Sequence, residues 1–202
     1  MEELNSLKAL VIHSSSLKSL DLAFSLEASL LLSLADALKK DSLSLEKLKL
    51  TLARKADLEQ QNIEEATASF FKSLQSNKSL RVLCFVLPLS LENTQVLADT
   101  LKINTTLEVL AINGQGIGDK GITYLTEGLR ENKSLKEINV AANNISDYGG
   151  DLIIDLLNTN KTLTILHLGG NPISDPKKLE INKILDKRKV PVFPFNREIS
   201  LP

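Results

Sequence analysis

Tryptophan is missing altogether from the 202 residues, and aromatic side chains amount to only 4%. Leucine and its aliphatic relatives must therefore build the core. A single cysteine, Cys84, excludes an intrachain disulfide and points to a reducing compartment. Neither charge sign dominates: 24 Lys and Arg stand against 25 Asp and Glu, for a net charge of −1. A general nucleic-acid binder needs a strongly basic face, so that class drops out. Long apolar runs are also lacking. The nearest approach, LEASLLLSLADAL at 26–38, carries Glu27 and Asp36 and is too short to cross a bilayer. The opening residues, MEELNSLKALVIH, begin with two acids and do not read as a secretory signal. No constellation for catalysis is visible. The run GQGIGDKG at 114–121 lacks the Lys-Ser/Thr that completes a phosphate loop. His13 and His167 have no cysteine at metal-ligand spacing, which argues against a zinc site. Cys84 has no histidine near it in sequence and reads as an ordinary small residue. The expectation is a protein with no enzymatic activity, no cofactor and no bound metal.

What the chain does have is a repeat. Hydrophobic residues make up 43%, enough for one domain with a real core at this length. Near-copies of one tetrapeptide stand at 77–80 (NKSL), 104–107 (NTTL), 132–135 (NKSL) and 160–163 (NKTL). Each leucine heads a six-residue run, and two more heads precede them: LKSLDL (17–22), LEKLKL (45–50), LRVLCF (80–85), LEVLAI (107–112), LKEINV (135–140) and LTILHL (163–168). First, fourth and sixth positions are apolar in all six. The intervals between heads are 28, 35, 27, 28 and 28 residues. Each head reads as a short strand whose apolar residues enter the core.

Counting back from each later head, apolar residues fall four apart: Phe70 and Leu74, Leu97 and Leu101, Leu125 and Leu129, Ile153 and Leu157. That spacing makes one face of a helix. The Asn three residues before each head is expected to end the helix, where a residue tolerant of left-handed geometry is favoured. The 35-residue interval carries seven extra residues, about two turns. It predicts a longer, protruding helix over 57–77, with Ile63, Ala66, Phe70 and Leu74 on its buried side. Asn143 and Asn171, in NNISDYGG and NPISDP, sit where a buried amide can satisfy loop backbone. The equivalent earlier residues are Ser25, Ala53, Pro88 and Gln115, so the N-terminal half departs further from the ideal.

This pattern, L-x-x-L-x-L-x-x-N-x-I-x-D-x-G followed by a long helix and Asn-x-Ser/Thr-Leu, resembles the ribonuclease-inhibitor type of leucine-rich repeat. The match is best at 107–131 and 135–159 and extends over about 17–185. The resemblance implies an α/β solenoid, or horseshoe, of about six repeats of roughly 28 residues. Strands would line the concave face and helices the convex face. Its members include the inhibitor itself, innate-immune sensor domains, activating proteins of the nuclear-transport GTPase, the C-terminal domain of tropomodulin, and effectors of intracellular bacteria. Three functions follow as expectations. The first is a module that binds a partner protein through its concave face, possible also in an effector, with the protein cytoplasmic or delivered into a host cytosol. The second is a regulator of a small GTPase, for which Arg54 is the early-loop arginine. The third is an actin-filament-binding domain. A monomer with no nucleic-acid or membrane partner is expected.

Alternation places positions three, five and seven of each head on the concave face. The residues expected to meet a partner are Lys47, Lys49, Val82, Cys84, Val86, Val109, Ala111, Asn113, Glu137, Asn139, Ile165 and His167. Val82, Cys84, Val86, Val109 and Ala111 make an exposed apolar centre, rimmed by Lys47 and Lys49 on one side and Glu137 and His167 on the other. Such a centre with a polar rim is how interaction surfaces are built. Second positions alternate in charge across Lys18, Glu46, Arg81, Glu108 and Lys136, which predicts a cross-strand ladder. The domain limits expected are an N-terminal cap at 1–16, repeats at 17–174, and a closing helix with an extended tail at 175–202. In that helix Asp175 would cap, Pro176 would take the first position, and Leu179, Ile184 and Leu185 would bury. The tail VPVFPFNREISLP, kept extended by Pro191 and Pro194, would either fold back over the last repeat, the favoured course, or hang free as a short linear motif for a partner.

Overall fold

The heads form strands and the stretches between them form helices. The computed structural model describes residues 16–24, 28–40, 44–52 and 60–188. In chain order the elements are β1 (Ser19–Phe24), α1 (Ala28–Leu38), β2 (Lys47–Leu52), α2 (Gln60–Ser73), β3 (Val82–Val86), α3 (Leu91–Ile103), β4 (Val109–Ala111), α4 (Gly118–Glu131), β5 (Glu137–Asn139), α5 (Asp147–Thr159), β6 (Ile165–His167) and α6 (Asp175–Asp186). The six strands make one parallel sheet in sequence order, β1 to β6. Each helix returns the chain to the start of the next strand, as parallel pairing requires. The core lies between the sheet and the helix layer. In the four inner heads the first, fourth and sixth side chains are all buried. So are the eight helical residues predicted from the four-residue spacing.

The repeated Asn does more than end a helix. Asn104, Asn132 and Asn160 each follow a helix directly, and their backbones are extended, with φ between −65° and −78°. The left-handed expectation is therefore wrong. The reason lies in the side chain, which is buried at Asn77, Asn104, Asn132 and Asn160. Each Oδ1 accepts the N–H groups two and three residues on, so at Asn132 Ser134 N–H donates at 3.0 Å and Leu135 N–H at 2.7 Å. Each Nδ2 reaches back to the preceding repeat: to Leu38 O from Asn77, Leu74 O from Asn104, Leu101 O from Asn132 and Leu129 O from Asn160. Asn132 and Asn160 donate also to the carbonyl of the preceding rung, at 3.1 and 3.0 Å. The hydroxyls of Thr106 and Ser134 do the same. This explains Asn-x-Ser/Thr-Leu: the amide turns the chain into the strand and ties one repeat to the last.

A second ladder runs through the loops after the strands. Asn143 is fully buried; its Oδ1 accepts Gln115 and Ile117 N–H, and its Nδ2 donates to Ile112 O. Asn171 repeats this on Asn143 and Ile145 N–H and on Val140 O. Asp119 then caps the next helix, accepting from Ser146 and Gly149 N–H. Gly128 marks where the helices come closest. A Cβ there would stand 2.4 Å from Ala98 O on α3, so only glycine fits.

In the closing helix one expectation needs correction, and the structure describes only part of the 35-residue repeat. In that repeat α2 begins at Gln60, 20 residues before the Leu80 head, whereas α3 to α5 begin 16 or 17 residues before theirs; residues 53–59, where the expected helix over 57–77 starts, lie outside the described residues. At its other end α2 stops at Ser73 and passes through a turn at 74–76 to Asn77. Ile63, Ala66, Phe70 and Leu74 are nevertheless buried, since Leu74 N–H bonds Phe71 O and continues the helical course. In α6 the N-cap is Ser174, which places Asp175 inside the helix. Leu179 is 55% exposed, and Ile181 is the buried residue in its place; Ile184 and Leu185 are partly buried. The N-terminal cap at 1–15 and the tail from 189 lie outside the described residues.

The amide rung makes a direct prediction. Asn132→Ala strands two N–H groups and Leu101 O and leaves Asn104 O with the Ser134 hydroxyl alone, and a buried unsatisfied group costs about 1–3 kcal/mol. Asn132→Ala is expected to lower unfolding free energy by about 3 kcal/mol or more in urea titrations. Asn132→Asp keeps the acceptor but turns an oxygen toward Leu101 O and Asn104 O, and should cost at least as much. A loss under about 1 kcal/mol for both would contradict the role given to the rung.

Candidate functional site

Strand register decides which outward side chains meet. Ser19, Lys47, Val82, Val109, Glu137 and Ile165 are partners across the sheet, and so are Asp21, Lys49, Cys84, Ala111, Asn139 and His167. Ala23, Thr51 and Val86 begin a third row. At about 4.8 Å between strands, the centre of each row lies within side-chain reach of its flanks. The residues predicted to face a partner are thus brought to one face, with Asn113 in the loop just beyond β4.

The floor and walls of that face differ. Val82, Val86 and Val109 are half-buried, while Cys84 and Ala111 are only 3% and 4% exposed. The two small residues therefore form a sunken floor and do not present exposed area, which corrects the expectation of a fully exposed patch. The concave curve packs neighbouring rows over them. Burial pushes the Cys84 thiol up, with the Lys49 charge acting the other way. On the β1–β2 side Lys49 pairs with Asp21 at 3.2 Å, and Lys47 is exposed. On the β5–β6 side Glu137 bonds His167 Nε2 at 2.9 Å. The result is a shallow apolar trough between two charged walls.

At the C-terminal end of β3 the trough opens into a cleft of about 520 Å³, lined by Glu64, Val86, Pro88, Leu89, Ser90, Gly114 and Gln115. All but Val86 belong to helix or loop positions that strand periodicity does not reach; Pro88 and Gln115 stand at the ladder position of Asn143 and Asn171, which gives no sign of a cleft. Beside it, Asn113 Oδ1 is buried and has no hydrogen-bond partner among the described residues. The rim at the strand starts carries the predicted ladder: Lys18–Glu46 at 2.8 Å, Arg81–Glu108 at 2.9 Å and Lys136–Glu108 at 2.6 Å. Hydrogen bonding from Lys18 holds the Glu46 carboxyl below its usual value, and Lys136, with Arg81, does so for Glu108.

These groups are suited to holding a surface and poorly placed for chemistry. In GQGIGDKG the N–H groups of Gly114 and Gly118 bond Ala141 O and Asn143 O, and those of Gln115 and Ile117 bond Asn143 Oδ1. The next repeat consumes the donors that a phosphate would need. Among the described residues no group of three or more His, Cys, Asp or Glu could hold a metal ion, and no helix is long and apolar enough to cross a membrane. His13 and Arg54 lie outside the described residues.

Comparison with known proteins agrees with the architecture. The family profile described as "Leucine Rich repeat" matches residues 104–125, 131–153 and 159–176. No protein of curated function matches the chain. Among solved structures, the C-terminal domain of Caenorhabditis elegans tropomodulin is similar over 92% of this chain and 93% of that one, at 11% identity and a TM-score of 0.58. A leiomodin-1 fragment described as actin-binding site 2 covers 61% of this chain and 72% of its own, at 19% identity and a TM-score of 0.54. A Bacteroides fragilis protein is similar over 78% of this chain and 42% of its own, at 19% identity and a TM-score of 0.51. At these identities the likeness is one of fold.

The Glu137–His167 pair carries a pH signature. The hydrogen bond to Glu137 raises the His167 pKa above 6.5, against the opposing effect of burial. The pair's stabilisation is full below the unfolded value of about 6.5 and is lost as pH rises through the raised folded value. The melting-temperature gap between wild type and Glu137→Gln should be wider at about pH 5.5 than at about pH 8.5. A gap that does not change with pH would show that the pair is not charged in the folded state.

Proposed function

Because the chain is a leucine-rich-repeat solenoid with its strand rows on one open face, we propose that it is a protein-binding module whose partner docks on that face. One observation carries the reading: register assembles half-buried Val82, Val86 and Val109 over a small-residue floor, between walls bearing Lys47 and Lys49 on one side and Glu137 on the other. Apolar centres with charged rims are the usual anatomy of protein interfaces. The described residues offer no catalytic constellation to compete with this. Charges at the rim would set orientation and association rate, and burial of the valines would supply affinity. The same reading covers an effector acting inside a host cell, in which case the partner is a host protein.

A second reading is supported by the similar structures, since the leiomodin-1 fragment is described as an actin-binding site. The partner in that case is actin, and co-sedimentation of the purified chain with actin filaments is the test. Pelleting that does not exceed an inert control would remove this reading and leave the first in place.

The site prediction is a pair of substitutions. Val86→Asp with Val109→Asp should reduce binding of a captured partner at least tenfold, because a carboxylate would be desolvated in the contact. The melting temperature should fall by only a few degrees, since both side chains are half-buried. Binding retained with a collapse in stability would show that the valines serve the core and that the partner docks elsewhere.

A further inference from the structure

The cleft at the end of β3 is rich in acceptors and has spent its donors. Glu64 on α2 lines it, and Glu64 Oε2 takes two hydrogen bonds, from the Ser90 hydroxyl at 2.7 Å and from Asn93 Nδ2 at 2.5 Å. Asn93 is 4% exposed and bonds the Glu64 carbonyl as well, while Ser90 caps α3. The carboxylate is thus held in place by the next repeat. Its Oε1 accepts no hydrogen bond among the described residues. Gln115 donates its Nε2 to Asn113 O, which leaves its own Oε1 as an acceptor. The N–H groups of Gly114 and Gln115 are given to Ala141 O and Asn143 Oδ1, and Pro88 has none. Asn113, next to Gly114 in the chain, keeps a buried Oδ1 with no donor among the described residues.

Acceptors out of water call for donors, and a fixed carboxylate among them calls for a cation. Among the described residues no Lys, Arg or His lines the cleft. Val86, Pro88 and Leu89 make the remaining wall apolar. One carboxylate beside an apolar wall is a poor seat for a metal ion, which takes several oxygen ligands. It suits a guanidinium, which is weakly hydrated, offers five N–H groups in a flat fork, and trails an apolar stem. The cleft is continuous with the trough, because Val86 belongs to both.

We propose that the cleft receives an arginine side chain of the protein that docks on the concave face, with its stem against Val86, Pro88 and Leu89 and its guanidinium on Glu64 Oε1. The assignment rests on the docking reading above and adds the partner's chemistry to it. Arginine anchors in desolvated pockets are among the side chains that carry most of an interface's affinity. Here the pocket's carboxylate is ordered before the partner arrives, by Ser90 and Asn93, so little ordering cost falls on binding.

The test is a titration of the isotope-labelled full chain at low salt with acetyl-argininamide, an arginine blocked at both ends as it is within a protein. Saturable amide shifts are expected at Val86, Leu89, Gly114 and Gln115, with a dissociation constant on the order of millimolar. The citrulline analogue, of the same shape and without charge, should bind at least tenfold more weakly. So should acetyl-argininamide on Glu64→Gln, which keeps an oxygen for Ser90 and Asn93. Gln115→Lys, which sets a cation at the cleft and leaves Glu64 in place, should abolish the shifts. Equal binding of the citrulline analogue, or no shift at these four residues, would overturn the proposal while leaving the docking face to its own test at Val86 and Val109. Tighter binding of free arginine than of the blocked form would overturn it too, assigning the cleft to a small-molecule cation. Binding that appears only after Arg54 and Lys55 are replaced by alanine would assign it to a cation of this chain and overturn it likewise.

Discussion

The last four repeats each hang on one buried amide, at Asn77, Asn104, Asn132 and Asn160; the first two heads have Ser14 and Ser42 in that place. A strand laid parallel to its predecessor, after a helix, must make a sharp turn whose backbone groups are hidden from water. Such groups are costly unless paired. The Asn side chain has two acceptor sites and two donors. It spends the acceptors on its own turn and the donors on the preceding repeat. The same group therefore closes the local turn and sets the spacing between repeats. A serine or alanine could do neither in full. In the last repeats Asn143 and Asn171 lock the other end of β4 and β5 in the same way, through Ile112 O and Val140 O. With both ends fixed, register has no freedom, and the concave rows follow.

That constraint reaches function through geometry. Fixed register stacks position upon position, so a composition change along six heads becomes a lateral pattern across a face. Small residues at Cys84 and Ala111 lower the middle, and valines flank them. The wall charges are tied to neighbours, Lys49 to Asp21 and His167 to Glu137. Tied charges hold their geometry before a partner arrives, which reduces the ordering cost of association. Rim ion pairs contribute little to folding, given their exposure. Their alternation along the strand starts is better understood as keeping like charges from meeting across strands.

Much of this was legible in the sequence because period-two and period-four patterns report burial directly. The heads, the helical faces, the outward rows and the charge ladder all follow from which side a residue must face. The misses share a cause: they depend on what a side chain bonds and not on which way it points. Asn at the helix end suggested a left-handed cap, a backbone property, when its work is done by the amide. Leu179 and Ile181 exchanged roles because the phase of a short terminal helix is set by its dock, which the preceding repeats do not reveal. Cys84 and Ala111 face the predicted side, but small side chains on a concave curve are covered by larger neighbours.

The central claim is that the fold exists to present the concave rows to another protein. Amide chemical-shift mapping of the isotope-labelled chain, titrated with its captured partner, tests it most directly. The account predicts the largest changes at 82–86, 109–113, 137 and 139, with the helix layer nearly unmoved. Changes concentrated on the exposed convex residues, such as Ile103 on α3 and Tyr148 on α5, with the strand rows silent, would contradict it.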